Sequence, residues 1–364
     1  MGRTIGIGRL PWCFGRSRAV LQNRARKARV ARVKNLAIIG AGSWGTALAI
    51  VLAPRFPRIR LWVYESDLAA RIRTSRENDI YLPGCFLPEH VEAVSDLRLA
   101  LDGAATVLSV MPSHHVRALY QQMLPFLAPS MVFVSATKGL ENNTLLRPSE
   151  VIQEVLRRRF APRVAAISGP TFAREVARFE PTALVVSSLD SGLTEQLQTA
   201  FSGPSFRLYR SQDTIGVEIG GAIKNVVAIG SGVLHGMGLG HNATAALITR
   251  GLAEMTRLAV AMGGQARTLG GLAGLGDLVL TCTGELSRNR TVGVELARGR
   301  KLDEITGSMK MVAEGIKTTN AAVDLARRHS VEMPIAEQMY QMLHSEVKPR
   351  EAIQRLMERS LKGE

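Results

Sequence analysis

The sequence predicts an α/β chain in two parts, a doubly wound domain on a parallel sheet followed by an all-helical domain. Three observations predict it. Short apolar, β-branched runs alternate with helical periodicity from Asn35 to about residue 210, and a glycine-rich turn joins the first run to the first helix. Beyond residue 210 the strand-like runs cease while helical patterning continues to the end.

The first 34 residues stand apart. Arg3, Arg9, Arg16, Arg18, Arg24, Arg26, Arg29 and Arg32, with Lys27 and Lys34, face no acid in this segment. They supply ten of the fifteen net positive charges and leave +5 on the other 330 residues. A phosphate-bearing small molecule accounts for that balance, so nucleic acid is not an expected partner of the folded body. Three origins fit the extension: an organellar transit peptide, a basic arm, or a start codon placed too far upstream. It is expected to be disordered, and it carries no fold information.

The predicted strands are 35–40, 59–64, 106–111, 132–137, 163–168 and 183–188, nearly continuous in apolar residues as expected of strands buried on both faces. Helical spacing fills 44–53, 113–124 and 148–159, with Ser113 as a candidate N-cap and His114 and His115 as residues of a helix start. The boundary between the parts falls near 211–215, giving 35–212 and 213–364 as domains. The longest apolar stretch, near 219–240, is broken by Lys224, Asn225, His235 and glycines, and predicts a buried helix rather than a membrane span. Cys13, Cys85 and Cys282 are too scattered for a disulfide framework or a zinc site, so reduced thiols, no metal and a cytoplasmic location are expected.

The first strand runs into Gly40-Ala41-Gly42-Ser43-Trp44-Gly45, a G-x-G-x-x-G that opens a helix. Gly40 permits the tight turn, Gly42 a close backbone approach to a pyrophosphate, and Gly45 close helix–strand packing. The helix N-terminus then faces the phosphates with free N–H groups. Glu65 ends the second strand, twenty residues past Gly45, where an acid accepts hydrogen bonds from ribose hydroxyls and repels a 2′-phosphate. Arg71 and Arg73 on the following helix either offset that repulsion or form a solvated face. The domain therefore binds a nicotinamide dinucleotide in the Rossmann manner.

Ligands in such sheets sit beyond the carboxyl ends of strands. Lys138, in Ala136-Thr137-Lys138-Gly139, places a cation there, and Ser168-Gly169-Pro170-Thr171 offers backbone groups and the Thr171 hydroxyl. In the helical part, Lys224 lies inside the apolar Gly220-Gly221-Ala222-Ile223-Lys224-Asn225-Val226-Val227. A buried lysine needs a partner, and desolvation lowers its pKa toward neutrality. Asp277 and Thr281, four apart on one helix face, suit that partnership. Ser287-Arg288-Asn289-Arg290 introduces a further helix with a guanidinium beside free N–H groups, a natural phosphate site.

These segments resemble, in order, the NAD(P)-dependent glycerol-3-phosphate dehydrogenases of bacterial type: GAGSWGTALA (40–49), PSH (112–114), ATKGLE (136–141), ISGPTFA (167–173), GGAIKNVVAIG (220–230), ITRGLAEM (248–255), AGLGDLVLTCT (273–283), SRNR (287–290) and VAEG (312–315). The resemblance spans about 35–340 and implies a helical part like the 6-phosphogluconate dehydrogenase C-terminal domain. It implies NAD or NADP as cofactor, a homodimer, and interconversion of dihydroxyacetone phosphate and sn-glycerol 3-phosphate, which feeds phospholipid synthesis.

By the same resemblance, Lys224 is the proton donor or acceptor, assisted by Asp277, Lys138 and Thr281. Lys138, Gly169, Thr171, Lys224, Asp277, Ser287, Arg288 and Asn289 line the substrate. The resemblance puts Ser43, Trp44, Lys138, Ala173, Arg288, Val312 and Glu314 at the dinucleotide, beside Gly40, Gly42, Gly45, Tyr64 and Glu65 of the loop and the second-strand end. One departure stands out: family members often carry His or Arg just after the second strand, where this chain has Tyr64-Glu65. Two rivals are weighed against this reading. One is a related dehydrogenase acting on a hydroxy acid such as 6-phosphogluconate, against which GLGDL and SRNR argue. The other is a nucleotide-sensing or nucleic-acid-binding protein that uses the basic arm.

Overall fold

The computed structural model describes residues 35–309, 314–344, 347–361 and 363. The basic extension and Val312 lie outside them.

The chain enters through β1 (Leu36–Ile39), every residue of which is buried, and turns at the glycine loop into α1 (Ser43–Leu52). Then follow β2 (Ile59–Trp62), α2 (Ser66–Ser75), β3 (Val91–Val94), α3 (Leu97–Leu101) and β4 (Thr106–Ser109). A 3₁₀ turn, Ser113–His115, leads into α4 (Val116–Met123), β5 (Val132–Ser135), α5 (Pro148–Leu156) and β6 (Arg163–Ser168). The half closes with α6 (Ala173–Ala177), β7 (Thr182–Ser187), α7 (Ser191–Phe201) and β8 (Phe206–Ser211).

The strands form one sheet in the order β3-β2-β1-β4-β5-β6-β7-β8. β1 pairs in parallel with both β2 and β4 (Leu36 opposite Ile59 and Thr106), so chain order reverses on either side of it. That switch point opens the crevice where a ligand belongs. The doubly wound class predicted from the alternation is therefore present, with three differences. β3 and β8 are absent from the predicted strands, and β7 runs antiparallel to β6, with Ile167 opposite Val186. Five predicted runs pass the last ladder residue: 35–40, 59–64, 106–111, 132–137 and 183–188. The overshoot at Val110, Met111, Ala136 and Thr137 lines the cleft described below. Ser113 does not cap a helix; it is the first residue of the 3₁₀ turn, behind Pro112, whose ring offers no acceptor.

From Thr214 on, the described residues hold helices and no strand. α8 (Thr214–Gly236) is capped by Asp213, whose Oδ1 accepts the Gly216 N–H at 2.8 Å. Around it come α9 (His241–Ala261), α10 (Ala266–Leu269), a π-helical turn (Leu272–Gly276), α11 (Asp277–Thr283) and α12 (Arg288–Ala297). α13 (Leu302–Ser308), α14 (Glu314–Arg328), α15 (Pro334–His344) and α16 (Pro349–Met357) complete the chain. Among the described residues α8 is the one helix long and apolar enough to cross a bilayer, yet the window that qualifies is wholly buried inside the fold. It starts at 214 rather than 219 and, as the glycine-rich pattern predicts, serves as a core helix.

Two packing details place α8. Gly221 lies against the end of β6, where a Cβ would stand 2.4 Å from Ser168 Oγ. The partly buried Glu150 and the fully buried Glu218 both bind Arg147: its guanidinium reaches Glu218 at 2.8 Å, and Ser149 Oγ donates to Glu218 at 2.6 Å. Further along, α8 and α12 cross in backbone contact. A Cβ on Gly293 would meet Ile229 O at 1.9 Å, and one on Gly232 would meet Arg290 O at 1.9 Å. Gly293→Ala must therefore push the helices apart, at about 3 kcal/mol or more. Gly307→Ala, where a Cβ has nothing within 4 Å, is expected to be neutral or stabilising by up to ~1 kcal/mol. Urea denaturation of the two variants checks this contrast.

Candidate functional site

A cleft of about 850 Å³ runs from the glycine loop, past the carboxyl ends of β4 and β5, to the starts of α12 and α14. It gathers most of the sequence-predicted residues. Gly40, Gly42, Ser43, Trp44, Tyr64 and Glu65 line one end, and Ser287, Arg288, Asn289 and Glu314 the other. Lys138, Thr171, Ala173, Lys224, Asp277 and Thr281 lie between. Gly45 and Gly169 sit behind the wall, and Val312 is outside the described residues.

The loop end has the shape an anionic ligand needs. Gly40 holds φ +116°, a region closed to most side chains, and a Cβ on Gly45 would stand 1.8 Å from Gly40 O. Gly42 caps α1 with no side chain folded back over the first turn, so its N–H groups remain for a ligand. The Trp44 indole N–H is buried and has no hydrogen-bond partner among the described residues, a donor suited to a ligand acceptor. Tyr64 is 78% exposed at the rim, edge-on to Trp62. These features fit a dinucleotide whose pyrophosphate rests on the α1 N-terminus.

The centre is a buried charge cluster. Gly221 and Lys224 are three apart on one face of α8, so the contact of Gly221 with β6 sets Lys224 over the cleft. Lys224 is 6% exposed and donates to Asp277 Oδ1 at 2.5 Å and to Thr281 Oγ1 at 2.7 Å. Thr281 passes its own proton to the Asp277 carbonyl at 2.6 Å, so toward the lysine it acts as an acceptor. Asp277 is 1% exposed, and its other oxygen accepts Lys138 Nζ at 2.7 Å. Lys138 also donates to Gly169 O at 2.9 Å and to Thr171 Oγ1 at 3.1 Å.

An ammonium has three N–H groups. Among the described residues, Lys138 has all three engaged by protein, whereas Lys224 has two engaged and one left for the cleft. Burial pulls the Lys224 pKa down to about 8, against the raising charge of Asp277 and with help from Lys138. Glu314 is pushed up to about 7 by burial, opposed by Arg288, Lys138 and Lys224.

At the far end Ser287 caps α12, its hydroxyl accepting the Arg290 N–H at 3.3 Å. Arg288 projects from the first turn and takes part in no salt bridge or hydrogen bond among the described residues. Asn289 differs from its neighbours: Nδ2 donates to Asn225 Oδ1 and Oδ1 accepts the Gly315 N–H, each at 2.9 Å. Its amide ties α8, α12 and α14 together. His114 is pushed down to about 4 and His115 also downward, chiefly by burial. Arg71 is engaged by Asp67 and Asp79, and Arg73 by Ala93 O; neither lines the cleft.

Several cleft residues went unnoticed in the sequence. Asn225 had a signal, lying beside Lys224 in an apolar helix. Tyr81 and Leu82, which line the cleft from the segment between α2 and β3, had none, because that segment has no periodicity.

Models of the N- and C-terminal parts of NAD-dependent glycerol-3-phosphate dehydrogenase match residues 35–194 and 213–354. A glycerol-3-phosphate dehydrogenase [NAD(P)+] of Koribacter versatilis is 57% identical over 329 residues, covering 90% of this chain and 98% of that protein. Its counterpart in Citrifermentans bemidjiense is 52% identical, covering 91% of this chain and 99% of that one. The crystal structure of glycerol-3-phosphate dehydrogenase from Coxiella burnetii shares 42% identity and a TM-score of 0.85, over 90% of this chain and 99% of that one. With its glycine loop, its lysine pair on Asp277 and its two-part architecture, the chain belongs to the NAD-dependent glycerol-3-phosphate dehydrogenase family.

Proposed function

We propose that Lys224 is the acid–base residue in the interconversion of dihydroxyacetone phosphate and sn-glycerol 3-phosphate with NAD(P)H, the reaction of this family. One observation carries the assignment: Lys224 is buried, yet among the described residues it keeps one N–H uncommitted at the middle of a cleft with anion-binding features at both ends.

Residues 35–212 hold the dinucleotide and 213–364 most of the substrate contacts. The nicotinamide cofactor, when bound, supplies or accepts the hydride. Everything else falls to the chain. Arg288 and the α12 N-terminus bind the substrate phosphate, and that remote binding orients the carbonyl carbon. Asn289 keeps that end in register through Asn225 and Gly315. As charge grows on the C2 oxygen, Lys224 donates its free N–H and then the proton. Asp277 and Thr281 aim it. Lys138, bound to Gly169, Thr171 and Asp277, adds positive field and fixes Asp277 rather than reaching for the phosphate. The family resemblance also supports a homodimer in the cytoplasm that supplies glycerol 3-phosphate for phospholipids.

Initial rates with dihydroxyacetone phosphate and each reduced cofactor test the reading, and oxidation of neither contradicts it. Lys224→Ala is expected to lower kcat/KM by about a thousandfold; near-normal turnover sinks the assignment. The pH dependence carries a sign. Reduction needs the charged lysine, so its rate falls as pH rises through about 8, whereas oxidation needs the neutral form and rises there. Asp277 holds the Lys224 pKa up, so in Asp277→Asn both limbs move to lower pH, with a loss of roughly a hundredfold. Unmoved limbs in that variant argue against Lys224 as the titrating group.

A further inference from the structure

Glu65 and Tyr81 close the β2 side of the cleft. Glu65 follows β2 at the α2 cap position and takes no side-chain cap of its own. Tyr81 Oη donates to Glu65 Oε1 at 2.8 Å, and among the described residues Oε2 takes no protein hydrogen bond. Tyr81 belongs to an irregular excursion between α2 and β3 that is tied to the glycine loop itself. Asn78, fully buried, donates at 2.8 Å to both Ala41 O and Thr46 Oγ1, and its Oδ1 accepts the Tyr81 N–H at 3.0 Å. Glu77 Oε1 accepts the Gly84 N–H at 2.7 Å and steadies the far turn. The phenol that grips Glu65 is thus anchored to the loop that receives the pyrophosphate.

We propose that the Glu65–Tyr81 pair makes this chain selective for NADH over NADPH, Glu65 reading the adenosine ribose and Tyr81 acting as its positioning residue. The inference rests on the reading above only in that a nicotinamide dinucleotide occupies the cleft. A carboxylate is acceptor-only, so it pairs with the 2′- and 3′-hydroxyls, which are donors. A 2′-phosphate at neutral pH brings further acceptors and like charge to the same place.

The cations that ordinarily offset such a clash are occupied. Arg71 holds Asp67 and Asp79, Arg73 holds Ala93 O, and Arg76 donates to the Leu87, Pro88 and Val91 carbonyls. The arginines that do line the cleft, Arg174 and Arg288, stand on α6 and α12, and neither is bonded to Glu65. Burial and the Glu65 charge raise the Tyr81 pKa, which keeps the phenol a donor.

Calorimetric binding of NADH and NADPH to the full chain tests this, with turnover measured in parallel. Wild type is expected to bind NADH roughly tenfold or more tightly than NADPH, and Glu65→Gln to close most of that gap by improving NADPH. Tyr81→Phe, which frees the carboxylate to turn, is expected to narrow the ratio by about threefold. A general packing defect weakens both dinucleotides alike and leaves the ratio where it was, so the ratio separates positioning from damage. Equal or tighter NADPH binding in wild type, or an unchanged ratio in either variant, overturns the proposal. Binding of neither dinucleotide overturns both it and the reading on which it rests. Binding is read without substrate, so NADH binding without turnover of dihydroxyacetone phosphate counts against the reaction and leaves the selectivity standing.

Discussion

One carboxylate is shared by two lysines, Lys224 buried and Lys138 partly buried, and much of the architecture serves that sharing. Asp277 is 1% exposed and bridges Lys224 at 2.5 Å and Lys138 at 2.7 Å. Taking such charges out of water costs several kcal/mol apiece unless their geometry is held tightly. The holding is distributed over the chain. Lys138 comes from the end of β5, its partners Gly169 and Thr171 from the end of β6, Lys224 from α8, and Asp277 and Thr281 from α11. The cluster exists only where the sheet and the helical part meet.

The same geometry explains why the two lysines differ. Each is a single cation near the same acid, but among the described residues every donor of Lys138 is satisfied, and one donor of Lys224 is not. A satisfied ammonium orders its surroundings; one with a free N–H facing a cleft can act on a ligand. Helix N-termini stand at both ends of that cleft, α1 behind an uncapped glycine and α12 behind Ser287 with Arg288 beside it. On the proposed reading, the substrate phosphate sits at one end, the dinucleotide pyrophosphate at the other, and the reacting groups meet over Lys224.

Much of this was legible in the sequence because it is local. The glycine loop, the strands buried on both faces, and the lysine inside an apolar helix each leave a pattern within a dozen residues. β3 escaped notice because four residues at the sheet's rim carry little signal, and β8 because its outward positions Arg207, Tyr209 and Arg210 break the apolar run. The reversed direction of β7 leaves no mark in composition. Asn289 reads as a ligand beside Arg288, yet its amide is engaged by Asn225, 64 positions away. Tyr81 and Asn78 matter only through contacts that the folded chain brings together, and no periodicity announces them.

Direct titration of the Lys224 ammonium by NMR, with isotope-labelled lysine and assignment by Lys224→Arg, bears most closely on the shared-carboxylate cluster. A midpoint near 8 is expected, since burial outweighs the pull of Asp277. A midpoint near the ordinary lysine value of about 10.4 shows that Asp277 offsets burial and contradicts the role of Lys224 as a proton donor poised near neutrality.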